Sequence, residues 1–180
     1  MFEEMGMMTK ILKQDAERYE SISRMPRFQK FLRKYQTASN PLSKLLYRVL
    51  YRISARKNHI EIPRDTKIGA GLYIGHPFCI TINSKAIIGR NCNIHKGVTI
   101  GQENRGARKG APIIGDCVWI GINTTIVGKI KIGNDVLIAP NSYVNCDVPS
   151  HSVVFGNPCV IKPRDNATEN YINRKCNSDT

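Results

Sequence analysis

Residues 66–101 read TKIGAGLYIGHPFCITINSKAIIGRNCNIHKGVTIG, and the spacing of aliphatic residues in and around this stretch decides the fold. Every sixth residue is isoleucine at 62, 68 and 74, and after one phase jump at 82, 88, 94 and 100. A second jump leads to Ile114, Ile120, Ile126, Ile132, Ile138 and Val144, so all thirteen positions are β-branched. Two residues before many of them the side chain is small or aliphatic, as at Leu72, Cys92, Val98, Val118 and Val136. Glycine directly follows several, among them Gly69, Gly75, Gly89, Gly101, Gly115, Gly121 and Gly133. A period of six is neither the alternation of an open sheet nor the 3.6 of a helix. It predicts short flat strands joined by tight corners, each strand sending one aliphatic side chain into a narrow interior, with glycine supplying unrestricted φ near the bends. Three strands close one coil, and successive coils stack as parallel strands about 4.8 Å apart.

The two breaks in the period are where chemistry is expected. Ile74 and Ile82 are eight apart rather than six, so residues bulge out around Gly75-His76-Pro77-Phe78. Ile100 and Ile114 are fourteen apart, and the intervening QENRGARKGAP (102–112) is polar, basic and glycine-rich, which predicts a protruding loop. By the register of the repeat, Glu61 precedes the first strand of one coil and His76 follows its last strand, which puts both at one corner. His95 follows the third strand of the next coil, near the same corner. A carboxylate one rung from an imidazole can orient it as a general base, a role histidine suits because it titrates near neutral pH.

Working outward, residues 1–58 form a helical N-terminal segment, 59–162 the repeat domain and 163–180 a polar, mobile tail. Residues 8–22 and 42–56 have helical patterns separated by Asn40-Pro41. In the second, Leu45, Leu46, Val49, Leu50 and Ile53 make an apolar stripe, expected to pack on the first coil or on a neighbouring subunit.

The 180 residues carry a net charge of +13, and between Arg24 and Lys57 there are ten Lys or Arg and no Asp or Glu. With Phe31, Tyr35, Tyr47 and Tyr51 interleaved, that segment also allows peripheral contact with an anionic membrane. No aromatic-basic platform or known module points to nucleic acid. The six cysteines (Cys79, Cys92, Cys117, Cys146, Cys159, Cys176) have neither CxxC nor zinc-ligand spacing, which suits reduced thiols. No stretch is long and apolar enough to span a membrane and the start is unlike a secretion signal, so the expected location is the cytoplasm, including the inner face of the membrane.

The segments IEIPRDTKIGAGLYIGHPFCITIN (60–83), GVTIGQ (97–102), IGDCVWIG (114–121) and VPSHSVVFGNPCVI (148–161) occur in order. In these the chain resembles the hexapeptide-repeat acyltransferases, specifically the branch of serine acetyltransferases and capsular polysaccharide O-acetyltransferases. The resemblance implies a mainly β fold, a left-handed parallel β-helix preceded by helices, assembled as a homotrimer or a dimer of trimers. It implies acetyl transfer from acetyl-CoA, as co-substrate and without a metal, to a hydroxyl. His76 takes the place of the catalytic base and Glu61 that of its orienting acid. Gly101, Gly121 and Ala139 fall where backbone groups meet the pantetheine arm; Lys129, Lys131, Lys162 and Arg164 are candidates for the phosphates. Three positions depart from the serine pattern: Gly75 replaces an aspartate beside the catalytic histidine, and Gly110 and Ala111 replace an arginine–histidine pair in the loop. The expected acceptor is therefore a sugar hydroxyl of a surface polysaccharide or its precursor, with serine O-acetylation for cysteine biosynthesis as the alternative. A metal-dependent lyase on the same scaffold needs three converging histidines, and only His76 and His95 are so placed.

Overall fold

The computed structural model describes residues 2–176, with side chains from Lys10 onward. Three helices, α1 (Phe2–Glu17), α2 (Arg27–Thr37) and α3 (Pro41–Arg56), precede the repeat. The first coil comprises β1 (Ile60–Glu61), β2 (Lys67–Ile68) and β3 (Tyr73–Gly75), and the second β4 (Ile80–Ile82), β5 (Ile87–Ile88) and β6 (Asn93–His95). The third comprises β7 (Thr99–Gly101), β8 (Ile113–Ile114) and β9 (Val118–Ile120), and the fourth β10 (Thr125–Val127), β11 (Lys131–Ile132) and β12 (Val136–Ile138). A last, partial coil holds β13 (Tyr143–Val144) and β14 (Ser152–Phe155), after which β15 (Val160–Pro163) turns back antiparallel to β14. Corresponding strands stack in parallel into three faces, β1-β4-β7-β10-β13, β2-β5-β8-β11 and β3-β6-β9-β12-β14. These are the stacked coils the period of six predicts, in the left-handed β-helix that the resemblance implies. All thirteen periodic aliphatics are buried in one continuous core.

The corners work differently from the expectation. Positive φ is taken at several corners by short polar residues such as Asn91 (53°), Asn123 (57°) and Asn141 (60°), which tolerate the left-handed region. The glycines that follow the isoleucines are needed instead for close approach. A Cβ on Gly69 would lie 2.7 Å from the Gly89 carbonyl carbon, and one on Gly89 would lie 2.5 Å from that of Gly115. They stack as a column at one corner of the helix.

The open end of the first coil is closed by side chains. An edge strand leaves backbone groups unpaired, and burying them without partners is costly. Asp15 of α1 accepts from the Leu72 N–H (3.0 Å), and Gln29 of α2 donates to the Leu72 carbonyl (2.9 Å). Arg33 donates to the carbonyls of Ile68 (2.9 Å) and Gly69 (2.7 Å) and pairs with Asp15 at 2.8 Å. The Tyr19 hydroxyl accepts from Ile74 N–H at 2.5 Å, and the Tyr51 hydroxyl of α3 donates to the Ile62 carbonyl. Phe28 and Leu32 fill the apolar mouth of the coil. The cap is thus made mainly by α1 and α2, the latter not resolved by sequence pattern as a helix of its own.

Helix α3 starts where Asn40 caps it, its side chain accepting from Leu42 N–H at 2.8 Å. Its apolar stripe does not pack on the first coil. Tyr51 and Ala55 face inward, whereas Leu45, Leu46, Val49 and Ile53 are each about half exposed or more and Leu42 is 77% exposed. A helix held at one face by a buried tyrosine leaves the opposite stripe outward.

The C-terminal segment also departs from the expectation of a mobile tail. Ala167, Thr168, Ile172 and Cys176 are buried against the β-helix. Asp135, at the corner before β12, accepts from the Thr168 hydroxyl (2.6 Å) and from the N–H groups of Thr168 and Ala167 (3.0 Å each). His151 Nδ1 lies 2.9 Å from the same carboxylate. Burial works against the Asp135 charge, yet these hydrogen bonds outweigh it and hold its pKa below the usual carboxylate value. A carboxylate with a depressed folded pKa contributes stability above its unfolded pKa and loses it as pH falls through the folded value. Tail docking should therefore weaken below about pH 4, and Asp135→Asn should reproduce at pH 7 a loss of about 2 kcal/mol. Hydrogen exchange at residues 167–172 as a function of pH checks this, and unchanged protection in the variant would refute it.

Candidate active site

His76 sits at the first break in the repeat, between β3 and β4, with φ of 52° and an exposed side chain. Two backbone bonds bracket the bulge: Cys79 N–H donates to the Asn58 carbonyl and Gly97 N–H to the Phe78 carbonyl, each at 3.0 Å. The Phe78 ring packs edge-on against His59, with centroids 5.3 Å apart. The loop is therefore fixed from both neighbouring levels while its imidazole faces outward. No hydrogen bond occupies the His76 ring among the described residues.

His95 lies one coil further on, in β6, paired directly with Gly75. Its Nδ1 is 2.9 Å from the Ile120 carbonyl. A carbonyl only accepts, so Nδ1 carries the hydrogen and Nε2 is left as the acceptor. The ring packs against Trp119, centroids 4.7 Å apart, and Trp119 meets Tyr171 of the tail at 5.2 Å. Burial, reinforced by the neighbouring His76, pushes the His95 pKa below the ordinary imidazole value. Gly75 belongs to this arrangement: a Cβ there would come within 2.7 Å of His95 Cδ2 and 2.9 Å of its Nε2. The second imidazole occupies the space a side chain at 75 would need.

The structure brings His76 and His95 together but not Glu61. Glu61 lies within β1, its Cα opposite Thr81, five residues beyond His76 on the adjoining coil. It lines a separate groove of about 540 Å³ with Arg52, Arg56 and Asn83. Within one chain no contact joins its carboxylate to either histidine among the described residues. The register placed Glu61 before its strand, whereas hydrogen bonding begins one residue earlier, at Ile60.

His76 opens on a larger cavity, about 860 Å³, between β3, helices α2 and α3 and the segment that joins α1 to α2. Arg18, Arg27, Lys57, Arg174 and Tyr73 also line it. A smaller hollow of about 260 Å³ shares Arg18, Tyr73 and Arg174 with it and continues over His95 and Trp119. Sequence pattern gave no hint of Arg18 or Arg174, because helix and tail meet the β-helix here only through tertiary packing.

Of the backbone groups expected at the pantetheine arm, several are engaged in the coils. Gly121 N–H donates to the Ile138 carbonyl and Ala139 N–H to that of Val154. The Ala139 carbonyl accepts from Ser142 and Thr124. Gly101, in β7, faces Val127 across the rung. Lys129, Lys131 and Lys162 are exposed, Lys131 in β11 and Lys162 in β15 on different faces, the latter over the Phe155 ring. The protruding loop folds into a small hairpin, Glu103 and Gly110 exchanging backbone bonds of 2.9 Å. Among the described residues no group of three or more His, Cys, Asp or Glu is placed to hold a metal ion, and no helix is long and apolar enough to cross a membrane.

Comparison with known proteins agrees with the fold. The family model for bacterial transferase hexapeptide (six repeats) matches residues 111–146. A serine acetyltransferase of Staphylococcus aureus is 39% identical over 118 residues, covering 66% of this chain and 55% of that protein. Serine acetyltransferase 4 of Arabidopsis thaliana is 40% identical over 99 residues, covering 55% of this chain and 28% of its own. Among solved structures, Neisseria gonorrhoeae serine acetyltransferase in complex with serine superposes with a TM-score of 0.69 at 27% identity, covering 87% of this chain and 69% of that one. The soybean serine acetyltransferase apoenzyme gives 0.60 at 30% identity, covering 76% and 55%. The chain spans about half the length of the bacterial relative and less of the plant one.

Proposed function

We propose that this chain, a hexapeptide-repeat β-helix of the acyltransferase superfamily on its serine acetyltransferase side, transfers an acetyl group from acetyl-CoA to a hydroxyl, with His76 as the general base. The observation that carries the reading is the placement of His76, held in the first phase break of the repeat, with an unengaged ring, at the mouth of a cavity of about 860 Å³. Its ring accepts the acceptor's hydroxyl proton as the oxygen attacks the thioester carbonyl. The same proton then passes to the departing thiolate, so no covalent enzyme intermediate is needed. His95, whose charged form burial disfavours, lies beside the base on the neighbouring rung, paired with Gly75. Glu61 orients an imidazole only in an assembly that carries its carboxylate there, a trimer or a pair of trimers. Lys129, Lys131, Lys162 and Arg164 are the cations available to the phosphates of acetyl-CoA.

Serine is the acceptor that the relatives favour. A sugar hydroxyl is the second reading, favoured by one arrangement: the His95 ring fills the place of an acidic side chain at 75, and the loop positions Gly110 and Ala111 carry no charge. Thiol release from acetyl-CoA separates the two. Saturable turnover with L-serine at millimolar concentration or below would establish the first, whereas turnover with a sugar acceptor and none with serine would establish the second. No thiol release with either would overturn the transferase reading.

A further inference from the structure

Helix α3 presents an apolar face that the described residues leave open. Leu42, Leu45, Leu46, Val49 and Ile53 fall at the three- and four-residue spacings that share one side of a helix, and each is between 46% and 77% exposed. The opposite side is anchored: Tyr51 and Ala55 are buried in the core, and the Tyr51 hydroxyl donates to the Ile62 carbonyl. The helix cannot roll to hide its stripe without giving up that anchor.

The borders of the stripe are cationic. Arg48, Arg52 and Arg56 run at four-residue spacing along one side and Lys57 stands at the other, all exposed. The ion pairs of the described residues lie elsewhere, so no carboxylate matches these cations. Glu61 shares a groove with Arg52 and Arg56 but pairs with neither. Charge therefore decides what this face meets. Symmetric pairing of two copies through α3 would set one row of arginines against another, and between Arg24 and Lys57 there is no Asp or Glu to separate them. An anionic lipid surface satisfies both parts, its acyl boundary taking the stripe and its phosphates the bordering guanidinium groups.

We infer that α3 is a membrane-docking helix lying in the interface of an anionic bilayer. Leu42, Leu45, Leu46, Val49 and Ile53 enter the acyl boundary, and Arg48, Arg52, Arg56 and Lys57 rest on the headgroups. The inference stands independently of the transferase reading. Ile53 and Lys57 also line the cavity on which His76 opens, so the docked bilayer lies at the lip of that cavity.

The test is co-sedimentation of the full chain with vesicles of phosphatidylcholine alone or with one-quarter phosphatidylglycerol. Binding to the anionic vesicles should be at least tenfold tighter, and should weaken in about 1 M NaCl, where the screening length falls to about 3 Å. Two variants at exposed positions divide the surface. Arg48→Gln/Arg52→Gln should weaken binding at least tenfold by removing headgroup contacts, and Leu45→Gln/Val49→Gln should do the same by removing insertion. Both should keep the unfolding midpoint and the sedimentation coefficient of the parent chain. No binding to anionic vesicles would overturn the inference. So would parental binding by Leu45→Gln/Val49→Gln, because the net positive charge of the chain would then adsorb it without α3. A lower sedimentation coefficient in Leu45→Gln/Val49→Gln would also overturn it, assigning the stripe to a contact between copies of the chain.

Discussion

His76→Ala should lower kcat/KM for acetyl transfer at least a hundredfold, the usual scale for removing a general base, while leaving the unfolding midpoint nearly unchanged. The side chain is exposed and makes no hydrogen bond within the described residues, so its loss creates neither a cavity nor an orphaned partner. The φ of 52° at this position favours Asn as a control, because it tolerates the left-handed region better than Ala and cannot act as a base at neutral pH. Equal losses in His76→Ala and His76→Asn would assign the effect to the proton acceptor. A loss in Ala alone would assign it to the backbone, and full activity in both would remove His76 from the mechanism. His95→Gln separates the second imidazole. Glutamine keeps a donor for the Ile120 carbonyl, so a loss beyond about tenfold would show that His95 does more than pack beside the base.

The β-helix was legible because its code is redundant: each strand spends one position on a buried aliphatic, and one six-residue period, re-phased twice, explains all of them from Ile62 to Val144. His76 was legible for the opposite reason, as a polar residue where that register slips. The role of the glycines was misjudged because sequence does not distinguish a residue that needs positive φ from one that must let another coil approach within contact distance. Glu61 was displaced because the register fixes which residue points inward but not where hydrogen bonding begins, and the difference of one residue carries a side chain out of a corner. Arg18 was not legible at all. Its surroundings are assembled from α1, β6 and the tail, and its bond to the Asn173 carbonyl spans 155 positions of chain. The outward stripe of α3 shows the same limit, since an amphipathic pattern tells which face is apolar but not which partner covers it.

Asp15→Ala should destabilise the chain by about 3–5 kcal/mol, the cost of removing one partner of a buried ion pair. Asp15 is fully buried and does three things at once: it neutralises Arg33, it accepts from the Gln29 side-chain amide, and it accepts from the Leu72 N–H on the capped edge of the first coil. Removing it leaves a buried guanidinium without its counter-charge and a buried backbone donor without an acceptor. Asp15→Asn should cost less, because the amide oxygen can still receive the Leu72 N–H, leaving mainly the loss of charge pairing. The decisive comparison is Asp15→Ala/Arg33→Met, measured by urea unfolding. If the orphaned charge dominates, the double variant should be more stable than Asp15→Ala alone despite the loss of the Arg33 bonds to Ile68 and Gly69. If it is less stable, the cap works chiefly by satisfying the backbone of the first coil. In either case β3, which carries Tyr73 and leads directly into His76, is the strand left unsupported. Activity should then fall at denaturant concentrations below the main unfolding transition in Asp15→Ala, and coincidence of the two curves would show that cap and catalytic corner unfold as one unit.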